Sequence, residues 1–154
     1  MSEPVDPTGY RDPIASDEVL AQRERLADLI CDELTRAGLP AHRYPADSLW
    51  PAGAEVSVDR MSDADGGGVF VRWGVGPELS RAAAGIPEGD LDDDALDEIV
   101  MALARRGDNP DVRHQSVVTR HMQAAIIGIL GSAGLHAYDP NDNDAPSLVK
   151  VDLP

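Results

Sequence analysis

The chain has 154 residues, enough for one domain with a substantial core, since a chain near this size buries roughly 68–70% of the surface it would expose unfolded. It carries 28 acidic against 13 basic side chains, a formal net charge of −15, and such a surface repels phosphate backbones and anionic headgroups. Nucleic acid and membranes are therefore not expected partners, and the lone Cys31 excludes an intrachain disulfide.

Residues 1–15 hold Pro4, Pro7 and Pro13 among polar side chains and are expected to form a disordered tail, leaving 16–154 as a single domain. The start of the sequence has neither a basic stretch nor an apolar run, which points to a cytoplasmic location. Ser16 is a candidate N-cap, with Asp17 and Glu18 at the positive end of the helix dipole behind it. Apolar positions then recur at Val19, Leu26, Leu29, Ile30, Leu34 and Ala37, a helix that Gly38 ends. Three extended segments follow: "PAHRY"; "AEVSVDRM", with Val56 and Val58 on one face; and "GVFVRWGV", in which Phe70, Arg72 and Gly74 alternate against Val71, Trp73 and Val75. The last two predict a hairpin whose connection, "SDADGGG", is a flexible loop and not a tight turn.

"GPELSRAAAG" predicts a short helix opened by Pro77, and "DLDDDALDEIVMALARRG" a second, with acids in its first turns and Arg105 and Arg106 in its last. The strongest helix pattern is "DNPDVRHQSVVTRHMQAAIIGILGSAG". There Asn109 caps, Pro110 takes the first helical position, and Val118, Met122, Ala125, Ile126, Ile129 and Ala133 trace an apolar face. Its run "AAIIGIL" falls far short of the roughly 20 apolar residues a membrane helix needs. Short strands near "LHAY" and "SLVKVDL" close the chain. The expected fold is α+β: a small, mainly antiparallel sheet with the helices packed on one face.

An internal echo runs through this order. Ile30, Leu34 and Ala37-Gly38-Leu39 correspond to Ile126, Leu130 and Ala133-Gly134-Leu135, and the following strands align Val56, Val58 and Asp59 with Val149, Val151 and Asp152. Two readings compete: a duplicated helix-plus-hairpin unit, or two helices that stop with the same left-handed glycine cap and its apolar contact.

Several patterns come close to chemistry and fail on arithmetic. "DPNDNDAPSLVK" sets Asp139, Asn141 and Asn143 as a calcium loop would, but Asp144 stands where glycine is needed and Lys150 where a bidentate Glu is needed. His114 and His121 share one helix about 10 Å apart along its axis, too far to share a zinc ion. No nucleophile elbow, phosphate loop or dinucleotide fingerprint is present, so no catalytic residue, metal or cofactor is assigned. Cys31, among acids, is expected to be half-buried with a raised thiol pKa.

One region stands apart from the acidic background. Arg113 and Arg120, and likewise His114 and His121, are a heptad apart and form a basic ridge able to hold a carboxylate or phosphate, unless these groups only balance the acids of "DLDDDALDE". Trp50 and Trp73, in or beside the sheet, are each either core or a binding anchor. The expected function is a non-enzymatic acidic interaction module of adaptor, secretion-chaperone or immunity-protein type. It binds a basic protein partner, and a homodimer is among its expected assemblies. The alternative is a small-molecule binding or enzymatic domain with an anionic-ligand pocket between sheet and helices, built from Trp73, Arg113, His114, Arg120 and His121.

Overall fold

The computed structural model describes residues 13–86, 93–104 and 109–154. Four helices, α1 (Asp17–Arg36), α2 (Pro77–Ala84), α3 (Asp93–Ala104) and α4 (Pro110–Ser132), accompany five strands. The strands are β1 (Ala41–Arg43), β2 (Gly53–Asp59), β3 (Gly68–Gly74), β4 (Ala137–Tyr138) and β5 (Val149–Val151), in the sheet order β1-β2-β3-β5-β4. Among the described strands only the β1–β2 pair is parallel. The fold is α+β, as the alternation of helix and strand periods predicts. Among the described residues no helix is long and apolar enough to cross a membrane.

The caps work as their residue types dictate. The Ser16 hydroxyl accepts from the Val19 N–H at 3.3 Å, and the Asn109 side chain accepts from the Asp111 N–H at 2.9 Å ahead of Pro110. Strand alternation then aims Ala54, Val56, Val69, Val71, Val149 and Val151 at one face. There they meet Leu26, Ala27, Ile30 and Leu34 of α1 and Ile126 and Leu130 of α4 in one core. Leu29, expected on the apolar face of α1, is instead 43% exposed, because Leu20 and Ala27 turn the buried stripe away from it. The opposite sheet face is polar and aromatic, with Glu55 across from Arg72, and Phe70 between Ser57 and Lys150.

Residues 1–12 of the expected tail lie outside the described residues. Its last three are engaged: the Ala15 N–H donates to the Arg60 carbonyl at 2.9 Å, and the Pro13 carbonyl accepts from the Ser62 N–H at 2.6 Å. The connection between β2 and β3 is long, as predicted, but it is organised around a 3-10 turn at Asp63–Asp65 and clamped by Arg23.

The internal echo includes a shared cap. Gly38 and Gly134 adopt φ of 95° and 87°, and the Leu39 and Leu135 N–H groups each donate back to the Leu34 and Leu130 carbonyls at 3.0 Å. This is the six-to-one bond of a glycine-stopped helix, and both leucines then pack on the core. Beyond the caps the halves diverge. β4 and β5 are antiparallel, whereas β1 runs parallel to β2, so the first unit is not a helix plus hairpin. Loop 44–52 carries the chain back along the sheet before β2 begins, and strands this short hold no sequence signal for that choice.

Candidate functional site

The β2–β3 register sets the geometry of an aromatic cleft. It pairs Ala54 with Trp73 and Glu55 with Arg72, which places an indole and a charged pair at the same end of the sheet. Loop 44–51 closes over this end, and Gly74 permits it: a Cβ at that position would lie 2.0 Å from the Pro51 carbonyl oxygen. Past β3, Pro77 starts α2, whose Ser80 hydroxyl donates to the Val75 carbonyl at 3.2 Å. Gln115 of α4 completes the wall.

The resulting cleft has a volume of about 420 Å³, inside the range of roughly 300–1,000 Å³ typical of ligand sites. Tyr44, Trp50 and Trp73 wall it, together with Leu49 and the rings of Pro45 and Pro51. Tyr44 is 62% exposed and Leu49 82% exposed, an unusual cost for apolar groups on a loop. The Arg81 guanidinium lies 5.6 Å from the Trp50 ring centroid, a cation–π contact that ties the loop to α2. Among the described residues, Glu55 and Arg72 are the only charged ones lining the cleft.

Trp73 does both things its position allows, packing against the core and lining the cleft. The basic ridge lies elsewhere. Arg113, His114, Arg120 and His121 are exposed along the side of α4 that faces away from Ile126 and Leu130, with Val117 between them. None of the four lines the cleft, so the structure does not bring them together with Trp73. Neither Arg113 nor Arg120 has an ion-pair partner among the described residues, and α4 packs on α2, α1 and the sheet while α3 meets α2. Arg105, Arg106, Asp90 and Asp92 lie outside the described residues.

The remaining candidates have structural explanations. Asp139 and Asp142 accept from the Asn141 and Asp144 N–H groups at 2.8 and 2.9 Å, so the calcium-like pattern is a pair of Asx turns. Burial pushes the Cys31 thiol pKa up, helped by Asp28 and Asp32 and opposed by Arg43. Burial acts to lower the Arg43 guanidinium pKa, but its hydrogen bonds to Glu24 and Asp28 outweigh that and leave it raised.

No protein-family model matches the chain, and no curated protein or solved structure is significantly similar to it.

The sequence reading overlooked Tyr44, Leu49, Glu55 and Arg72. For Leu49 a signal existed. Leu49 and Trp50 are large apolar residues side by side between Pro45 and Pro51, where no helix or strand can bury them.

Proposed function

We propose that the protein is a non-enzymatic acidic interaction module that docks a basic protein partner through the cleft walled by Tyr44, Trp50 and Trp73. The observation that carries this reading is the concentration of exposed and half-buried aromatic and aliphatic groups at one loop-rimmed cleft. Aromatic anchors in a partly desolvated pocket supply most of the energy at protein interfaces. The net charge of −15 supports the choice of a basic partner, because a summed negative field accelerates such encounters. A cysteine-poor composition supports a cytoplasmic setting.

The test is photo-crosslinking from a benzophenone amino acid at position 49, with position 117 on the ridge as comparison. A partner captured from position 49, whose association slows steeply as salt rises, is the expected result. A partner captured only from position 117 would overturn the reading.

A second reading is favoured by Arg72, a guanidinium in the cleft without an ion-pair partner among the described residues. In that version the cleft takes a small anionic molecule, with Arg72 doing what the ridge was expected to do. Arg72→Gln would then abolish binding of the co-purifying small molecule while protein partners remained bound.

A further inference from the structure

We propose that the cleft between loop 44–51, the end of the sheet and α2 binds a proline-rich segment of the partner in the extended polyproline II conformation. This rests on the interaction-module reading and narrows it to one ligand chemistry.

The walls fit such a ligand first. Tyr44, Trp50 and Trp73 line the cleft with aromatic residues, and Pro45 and Pro51 add rigid apolar ones. A polyproline II helix makes no internal hydrogen bonds and presents its proline rings as flat apolar surfaces, which is why aromatic-lined grooves recognise it.

Hydrogen-bonding capacity points the same way. The indole N–H groups of Trp50 and Trp73, the Tyr44 hydroxyl, the Gln115 amide and the Arg72 guanidinium have no hydrogen-bond partner among the described residues. The cleft is therefore rich in donors. A proline-rich segment offers carbonyl acceptors and, at each proline, no N–H. The two inventories complement each other.

Charge argues against an anion as the natural occupant. Glu55 lines the same cleft, directly across the β2–β3 ladder from Arg72 and 3.7 Å from His42 Nε2, so it adds a negative charge that opposes entry of a carboxylate or phosphate. Peptide carbonyls are neutral acceptors and do not pay that penalty. Strand addition is also a poor use of this sheet, because its edges, β1 and β4, have only three and two residues. The field of the −15 chain adds a preference for Arg or Lys beside the prolines. Both partners are stiff before they meet: the Trp50 indole is held by Arg81, and the ligand helix loses little entropy on docking.

The experiment uses the full chain and a panel of fluorescein-labelled ten-residue proline-rich peptides with arginine, lysine or no basic flank, each matched by a peptide with alanine for every proline. The two tryptophans of the chain both line the cleft, so intrinsic emission reports occupancy directly, beside peptide anisotropy. At least one basic-flanked proline peptide is expected to shift the tryptophan emission and to bind better than its alanine match. Trp50→Ala, on the loop, should weaken it about ten-fold or more with the circular dichroism spectrum unchanged, and Arg113→Glu with Arg120→Glu should not weaken it. Equal binding of the alanine peptides, binding that survives Trp50→Ala, or no binding by any member of the panel would overturn the proposal. A partner that crosslinks from position 49 yet contains no proline-rich segment would sink this inference and leave the interaction-module reading intact; one captured only from the ridge would sink both.

Discussion

Arg23 of α1 donates to the Met61 carbonyl at 2.6 Å, and so ties the first helix to the connection between β2 and β3. The same guanidinium reaches the Asp59 carbonyl at 2.7 Å and Asp63 at 3.1 Å, with the side chain 1% exposed. Its energetic weight lies with the carbonyls, because Asp63 is itself 85% exposed and its pairing is screened. Arg23→Met is expected to cost about 2–4 kcal/mol by leaving two carbonyls without their charged donor, whereas Asp63→Asn should cost less than about 1 kcal/mol. Urea unfolding of both variants checks this, and equal costs would show that the ion pair dominates.

The apolar core gives a sharper contrast than sequence periodicity alone. Ile126 is completely buried and Ile129 only half-buried, although both fall on the predicted apolar face of α4. Ile126→Ala should therefore cost about 2–5 kcal/mol, and Ile129→Ala should fall at or below the lower end. Reversal of that order in thermal or urea unfolding would mean that α4 is rotated about its axis relative to this description.

These two cases mark what sequence reasoning reached. The caps at Ser16 and Asn109, the alternation around Val71, and the glycine stops at Gly38 and Gly134 depend on neighbours close in sequence, and each was legible. The parallel β1–β2 pairing, the Arg23 clamp and the cleft depend on contacts between residues far apart in the chain. Nothing in the helical spacing of Arg23 announces that the connection to β3 folds back onto it. The alternative anionic-ligand pocket expected from the sequence joins Trp73 with the ridge, and no local pattern shows that the two lie apart. The fold separates them, because α4 turns its basic side away from the sheet that carries Trp73.

Cys31 offers a prediction in pH. Burial raises its thiol pKa, so the folded state holds the thiol proton more tightly than the unfolded chain does. With more protons bound in the native state, stability must fall as pH rises, and it does so between the unfolded thiol value and the raised folded one. Alkylation of native Cys31 should show a pH midpoint above that of the urea-unfolded protein. Arg43→Met, which removes the one group opposing the shift, should move the native midpoint further up. A native midpoint at or below the unfolded one would contradict the burial seen here.

The ridge tests whether the binding site is the cleft or α4, because its charge can be reversed without touching the fold. Arg113 and Arg120 are exposed and have no ion-pair partner among the described residues, so Arg113→Glu with Arg120→Glu should change stability by no more than about 0.5 kcal/mol per site. Each reversal adds two negative charges to a chain already at −15. If the ridge is bystander surface and the protein is steered by its summed field, the double variant should associate with a basic partner somewhat faster at low salt, with the gain vanishing as the Debye length shrinks to about 8–10 Å. Dissociation should be unchanged, since the cleft contacts are intact. If the ridge itself holds the ligand, the same double variant loses binding at every salt concentration, because two guanidiniums that made directional bonds have become carboxylates. Stopped-flow association and dissociation rates at low and high salt separate these outcomes, and loss of binding at both would move the site from the cleft to α4.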